Sequence, residues 1–165
     1  MVTRISKIAL LAGLALFYTL VVFNNLTDFD SNYQFVRHVL SMDTTFPGNQ
    51  CMYRAITSPS IHLVFYWSII CWEAVTGLSL WWGIARLVRA LRSPAVDFNA
   101  AKRVPMIALT LSLLMWLVPF LTVGSEWFLM WQSKTWNGQE VAVRDFTVVG
   151  LIYLMLLQSD TDHQP

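Results

Sequence analysis

Long apolar runs separated by short clusters of charge dominate the chain, and four of them approach the ~20 residues that a helix needs to cross a bilayer. The first, about 8–23, reads IALLAGLALFYTLVVF between Lys7 and Asn24-Asn25. The second, about 60–86, follows Pro59, whose missing N–H suits a helix start, and runs into Arg86, Arg89 and Arg92. The third, about 104–131, follows Lys102-Arg103 and has Pro105 in its first turn. The fourth, about 141–157, carries Arg144 and Asp145 near its start, from where a long arginine side chain reaches the surface. This pattern predicts an all-α integral membrane four-helix bundle forming one transmembrane domain, 1–165. Outer loops fall at 24–59 and 132–140, and a cytoplasmic loop at 87–103.

Within the first outer loop, Phe35, Val36, Val39 and Leu40 recur at helical spacing after the capping candidates Asp30 and Ser31. A short amphipathic helix is therefore expected from about Asn32 to Met42, lying on the membrane surface or over the bundle. FPGN at 46–49 and the NG of QSKTWNGQE read as turns. The loop is either a lid over helix ends or a recognition surface, for which Asp30, Asn32, Phe35, Arg37, His38 and Asp43 are the candidates.

Composition agrees with a bilayer: 56% of residues are hydrophobic and 13% charged, and mean hydropathy is +0.51. Arg4 and Lys7 begin the chain as a signal peptide would, but no A-x-A pattern follows the first run, so that helix is expected to be retained. Basic residues set the orientation. Arg4, Lys7, Arg86, Arg89, Arg92, Lys102 and Arg103 fall at one end, against Arg37, Arg54, Lys134 and Arg144 at the other, which puts both termini in the cytoplasm. The closing QSDTDHQP holds no base and leaves that reading unchanged. Cys51 and Cys71 are expected at different depths and so are not expected to form a disulfide.

Inside the second run, WSIICWEAVTGLSLWW holds one acid, Glu73, 14 residues after Pro59 and 13 before Arg86. At ~1.5 Å per residue it lies ~20 Å from either end, near the midplane, where an ionised carboxylate costs at least about 2.5 kcal/mol. No basic residue in the other runs reaches that depth. Glu73 is expected to be protonated and hydrogen-bonded to Tyr18, Thr19, Thr110, Ser112 or Tyr153, acting either as glue between helices or as a proton or cation site. Glu126 lies ~35 Å beyond Arg103, past a bend expected at Pro119. Its height matches Arg144, so the two form either an outer clamp or two separately hydrated groups.

NNLTDFDSNYQFVRHVLSMDT, YRAITSP, WEA and SEWFLMWQSKTWNGQEVAVR, set among four apolar runs, resemble a bacterial family of predicted small integral membrane proteins of unknown function. The resemblance covers essentially the whole chain and implies a protein of the bacterial inner membrane. It implies no activity, ligand or catalytic residue.

The sequence holds no Gly-rich phosphate loop, no Ser/His/Asp or Cys/His constellation and no metal-type spacing, so no catalytic or metal residue is assigned. No cofactor is expected: haem through His38 or His62 is disfavoured because neither lies deep in a span. The basic cluster at 86–103 is explained by orientation and anionic lipid, not by nucleic acid. The leading expectation is a structural or accessory subunit that binds a membrane partner complex. Its close contacts come from small-residue spacings such as Ala9-x-x-x-Gly13 and Ser79-x-x-x-Gly83. The alternatives are a homo-oligomeric proton- or cation-linked transporter using Glu73, and a haem- or quinone-binding redox protein.

Overall fold

The structure, a computed structural model, describes residues 1–162 and contains only helices and loops among them. Helix α1 spans Val2–Thr27, α2 Phe29–Ser41, α3 Pro59–Arg89, α4 Ala95–Ala101, α5 Arg103–Met115 and α6 Gln139–Leu157. Helix α5 continues as a π-helix over Trp116–Trp127, and short 3₁₀ turns lie at Met52–Arg54 and Met130–Gln132.

Each long helix runs past the end of its apolar core, because neighbouring helices continue to bury its terminal turns. Helix α1 continues at its start to bury Arg4 and Lys7 and at its end to bury Asn25. Helix α3 has 31 residues, ~46 Å, well beyond the ~30 Å of a hydrocarbon core. Its first turns stand above the end of α1 and carry α2, which lies over the bundle with Val36, Val39 and Leu40 buried beneath it. The expected amphipathic helix is therefore present. It begins earlier than Asn32, and Asp28 occupies the cap position in place of Asp30 or Ser31.

Pro119 deforms its helix as expected, but the deformation is a π segment and not a simple kink. Thr122 Oγ1 donates to the Leu117 carbonyl and the Phe128 N–H to the Val123 carbonyl, both five residues back. The segment ends at Trp127, and Leu129 turns the chain through φ 55° before the outer hairpin, so the third run stops short of residue 131.

Three helical rods, Val2–Thr27, Pro59–Arg89 and Ala95–Trp127, are long and apolar enough to cross a membrane by length and composition. Helix α6 is not among them because Glu140, Arg144 and Asp145 crowd its first two turns. The bundle core is contributed by α1, α3, α4, α5, the π segment and α6, including Leu11, Tyr18, Leu80, Leu109, Met115 and Val149.

Of the two small-residue spacings, only one brings helices together. A Cβ on Gly83 would stand 2.8–2.9 Å from three atoms of Pro105, so α3 and α5 meet there. Gly13 has open space around it and lines a cavity of about 250 Å³ between α1 and α6. A third glycine, Gly77, faces Tyr18 at 3.1 Å and sets the spacing of α1 and α3.

Candidate functional site

Glu73 is buried, 4% exposed, and its carboxylate accepts a hydrogen bond of 2.6 Å from the Asn25 side-chain amide. Helical side chains lean toward their own N-terminus, and α1 and α3 are antiparallel. Asn25 therefore leans inward from the end of α1, Glu73 leans outward from the middle of α3, and the two meet. The Tyr66 hydroxyl completes the group by donating to the Asn25 carbonyl at 3.2 Å. The carboxylate thus sits close below the turn where α1 ends in Asn24, Asn25 and Thr27, nearer the outer side than counting along α3 alone indicates.

None of the residues expected to bond Glu73 does so. Tyr18 and Ser112 hydrogen-bond each other at 2.6 Å, and the Trp116 indole donates to the Tyr18 hydroxyl at 3.2 Å. Thr19 returns its hydroxyl to the Ala15 carbonyl and accepts from Trp81. Thr110 bonds the Met106 carbonyl. Tyr153 is half-buried against the core. Asn25 went unrecognised because it stands beside Asn24 at the edge of the apolar run, where it reads as a boundary.

Glu126 and Arg144 are not brought together. Arg144 is 64% exposed at its side chain and bonds its neighbour Asp145 at 2.9 Å. The pairing by height fails because Asp145 is one residue away and turns inward. Asp145 is itself buried and lines the cavity beside Gly13, so α6 contributes a second carboxylate to the bundle interior.

The outer-loop candidates divide. Asp30, Asn32, Arg37 and Asp43 are exposed, but Phe35 turns inward against Phe120 and Trp136. Phe35 lies so close to Gly138 that a Cβ there would stand 2.8 Å from its ring. His38 stacks on Trp136 with 4.7 Å between ring centroids and bonds Asp43 at 2.8 Å. Thr44 donates to Ser133, and Gln132 accepts from the Phe46 N–H. The loops at 42–58 and 128–138 therefore form one roof. Beneath it, α2, α3 and the π segment enclose an apolar cavity of about 180 Å³, lined by residues including Val36, Leu40, Trp72, Pro119 and Phe128. His62, at the head of α3, bonds the Ile56 carbonyl at 2.7 Å.

At the opposite end the first turns of α1 meet residues 158–162. Lys7 reaches Asp160 at 2.7 Å, Lys102 pairs with the same carboxylate, and Arg4 lies 3.6 Å from Asp162. Asp160 is 5% exposed at its side chain. Burial pushes its carboxyl up, but the hydrogen bonds from Lys102 and Lys7 outweigh this and hold it below the usual carboxylate range. Asp160 of the closing segment thus forms a buried ionic clasp with Lys7 and Lys102.

A family model described as predicted small integral membrane protein (DUF2165) matches residues 3–159, and the chain belongs to that family. No curated protein and no solved structure matches the chain.

Proposed function

We propose that this member of a family of small integral membrane proteins is an accessory subunit of the bacterial inner membrane, crossing it four times and binding a larger membrane assembly through its outer roof and lipid-facing helices. The observation that supports this most is that Glu73 is bonded inside the bundle by Asn25. Asn25 bonds both Glu73 and Tyr66, and Tyr18 bonds both Ser112 and Trp116. Glu73 lines neither the apolar cavity under the roof nor the cavity that Asp145 and Gly13 share. A carboxylate held this way serves as glue between helices, and the surfaces left for function are outside.

Helix α6 counts as the fourth crossing because it runs antiparallel to α1 along its length, from Phe17 beside Asp145 to Lys7 beside Gln158. Its 19 residues reach ~28 Å, close to the ~30 Å core. Arg144 bonds Asp145 at 2.9 Å, so the carboxylate that faces α1 at the level of Phe17 has its countercharge within α6. The start of α1 and residues 158–162 lie at the end that carries Arg86, Arg89 and Arg92, and the basic residues there support a cytoplasmic location for that end.

The test is photo-crosslinking in native membranes from probes at Phe46 and Trp131 of the roof and at Leu78 of α3, all exposed. An accessory subunit yields one partner protein in fixed stoichiometry. The reading is overturned if the purified chain alone carries a pH-dependent ion flux that Glu73→Gln abolishes while the fold is kept.

A further inference from the structure

We propose that the groove between the inner ends of α3, α5 and α6 is a binding site for one anionic phospholipid, with the phosphate held by Arg86 and Arg103. The groove, about 660 Å³, is lined by Arg86, Lys102 and Arg103 together with Met106, Leu156 and Leu157. Charge and apolar surface thus stand side by side where α3, α5 and α6 leave the membrane, as a headgroup and the start of an acyl chain require. The close approach of Gly83 to Pro105 locks the register of α3 against α5. One turn further along α3, Arg86 is thereby carried to the start of α5, where Lys102 and Arg103 lie.

The cations of this groove are in different states. Lys102 is buried and committed to Asp160, Asn99 and the Gln158 carbonyl. Arg86 and Arg103 are exposed and have no hydrogen-bond or carboxylate partner among the described residues. The adjoining hollow is lined by one carboxylate, Asp97, against two guanidiniums, Arg86 and Arg89, so a net positive charge remains on this face. The exposed indole of Trp82 borders the same hollow, a residue type that anchors at headgroup level. A planar guanidinium pair suits a phosphate because each fork donates two hydrogen bonds to it.

The site does not depend on an accessory role and is tested on the purified full-length chain. Native mass spectrometry in a non-ionic detergent, titrating phosphatidylglycerol and phosphatidylcholine with the same acyl chains, reads the retained lipid. The expected result is one saturable phosphatidylglycerol adduct, at least about tenfold tighter than phosphatidylcholine. Its affinity falls about tenfold or more in Arg86→Gln/Arg103→Gln and is unchanged in Arg92→Gln. Both guanidiniums lie outside the core, so the double variant keeps its helical circular dichroism. Equal retention of the two lipids, or equal loss in Arg92→Gln, overturns the site in favour of general surface charge. Displacement of the adduct by millimolar inorganic phosphate overturns the lipid in favour of a free anion.

Discussion

Asn25 joins three helical positions of the outer half of the bundle: its amide donates to Glu73, and its own backbone receives Tyr66. Asn25→Leu leaves a carboxylate without its donor in a dry interior and is expected to destabilise the fold by about 3 kcal/mol, read as thermal unfolding in detergent. Glu73→Gln keeps the size and the acceptor oxygen and is expected to cost less than about 1 kcal/mol. If instead Glu73→Gln unfolds the protein and Asn25→Leu does not, the carboxylate is held by something other than this pair. The presence of Glu73 in an apolar helix was legible in the sequence, because a single acid in such a run is conspicuous. Its partner was not, because the lean of a side chain along its helix, and hence which turn of a neighbour it meets, depends on the relative direction and register of the two helices.

At the scale of elements, two contacts decide how the helices sit. Gly83 on Pro105 allows α3 and α5 to touch, and no small shift accommodates a methyl group against a proline ring. Gly83→Ala is expected to cost about 1–3 kcal/mol through overpacking and to weaken disulfide crosslinking between cysteines placed on the facing turns of α3 and α5. The same substitution at Gly13, which borders open space, is expected to be neutral or slightly stabilising, since it replaces a helical glycine by alanine. The spacing Ser79-x-x-x-Gly83 was readable as a close-contact motif, and Ala9-x-x-x-Gly13 was equally readable but left a cavity. Small residues permit contact without requiring it. The clamp between Glu126 and Arg144 shows the same limit for charge. Arg144 bonds Asp145, so reversing both Glu126 and Arg144 is expected to recover none of the stability lost by either reversal alone, and full recovery in that double-mutant cycle would restore the clamp.

Across the whole molecule, the chain is closed by its own ends. The last described residues fold back so that Asp160 lies between Lys7 of α1 and Lys102 before α5, and Asp162 accepts from the Ala95 N–H. A span-by-span reading of hydropathy does not register such a clasp, because both lysines count as orientation signals and the tail counts as solvent. Their burial follows only once the helices are antiparallel and of matched length. Asp160→Asn removes the anion from two buried ammonium groups and is expected to cost about 3 kcal/mol at neutral pH. The folded carboxyl is held below its ordinary value of 3.8, so this contribution is complete above that value and disappears as the pH falls through the lower, folded value. Unfolding midpoints of the native chain and of Asp160→Asn should therefore differ at pH 7 and converge only at acid pH, below the lowered folded value. If the gap stays constant down to that pH, Asp160 contributes by packing and not by charge. Truncation after Leu157 gives an independent measure, because it frees Arg4, Lys7 and Lys102 together without altering any helix. It should reproduce the neutral-pH loss and also raise protease cleavage at the α3–α4 connection, where Arg4 otherwise holds the carbonyls of Leu91 and Ser93.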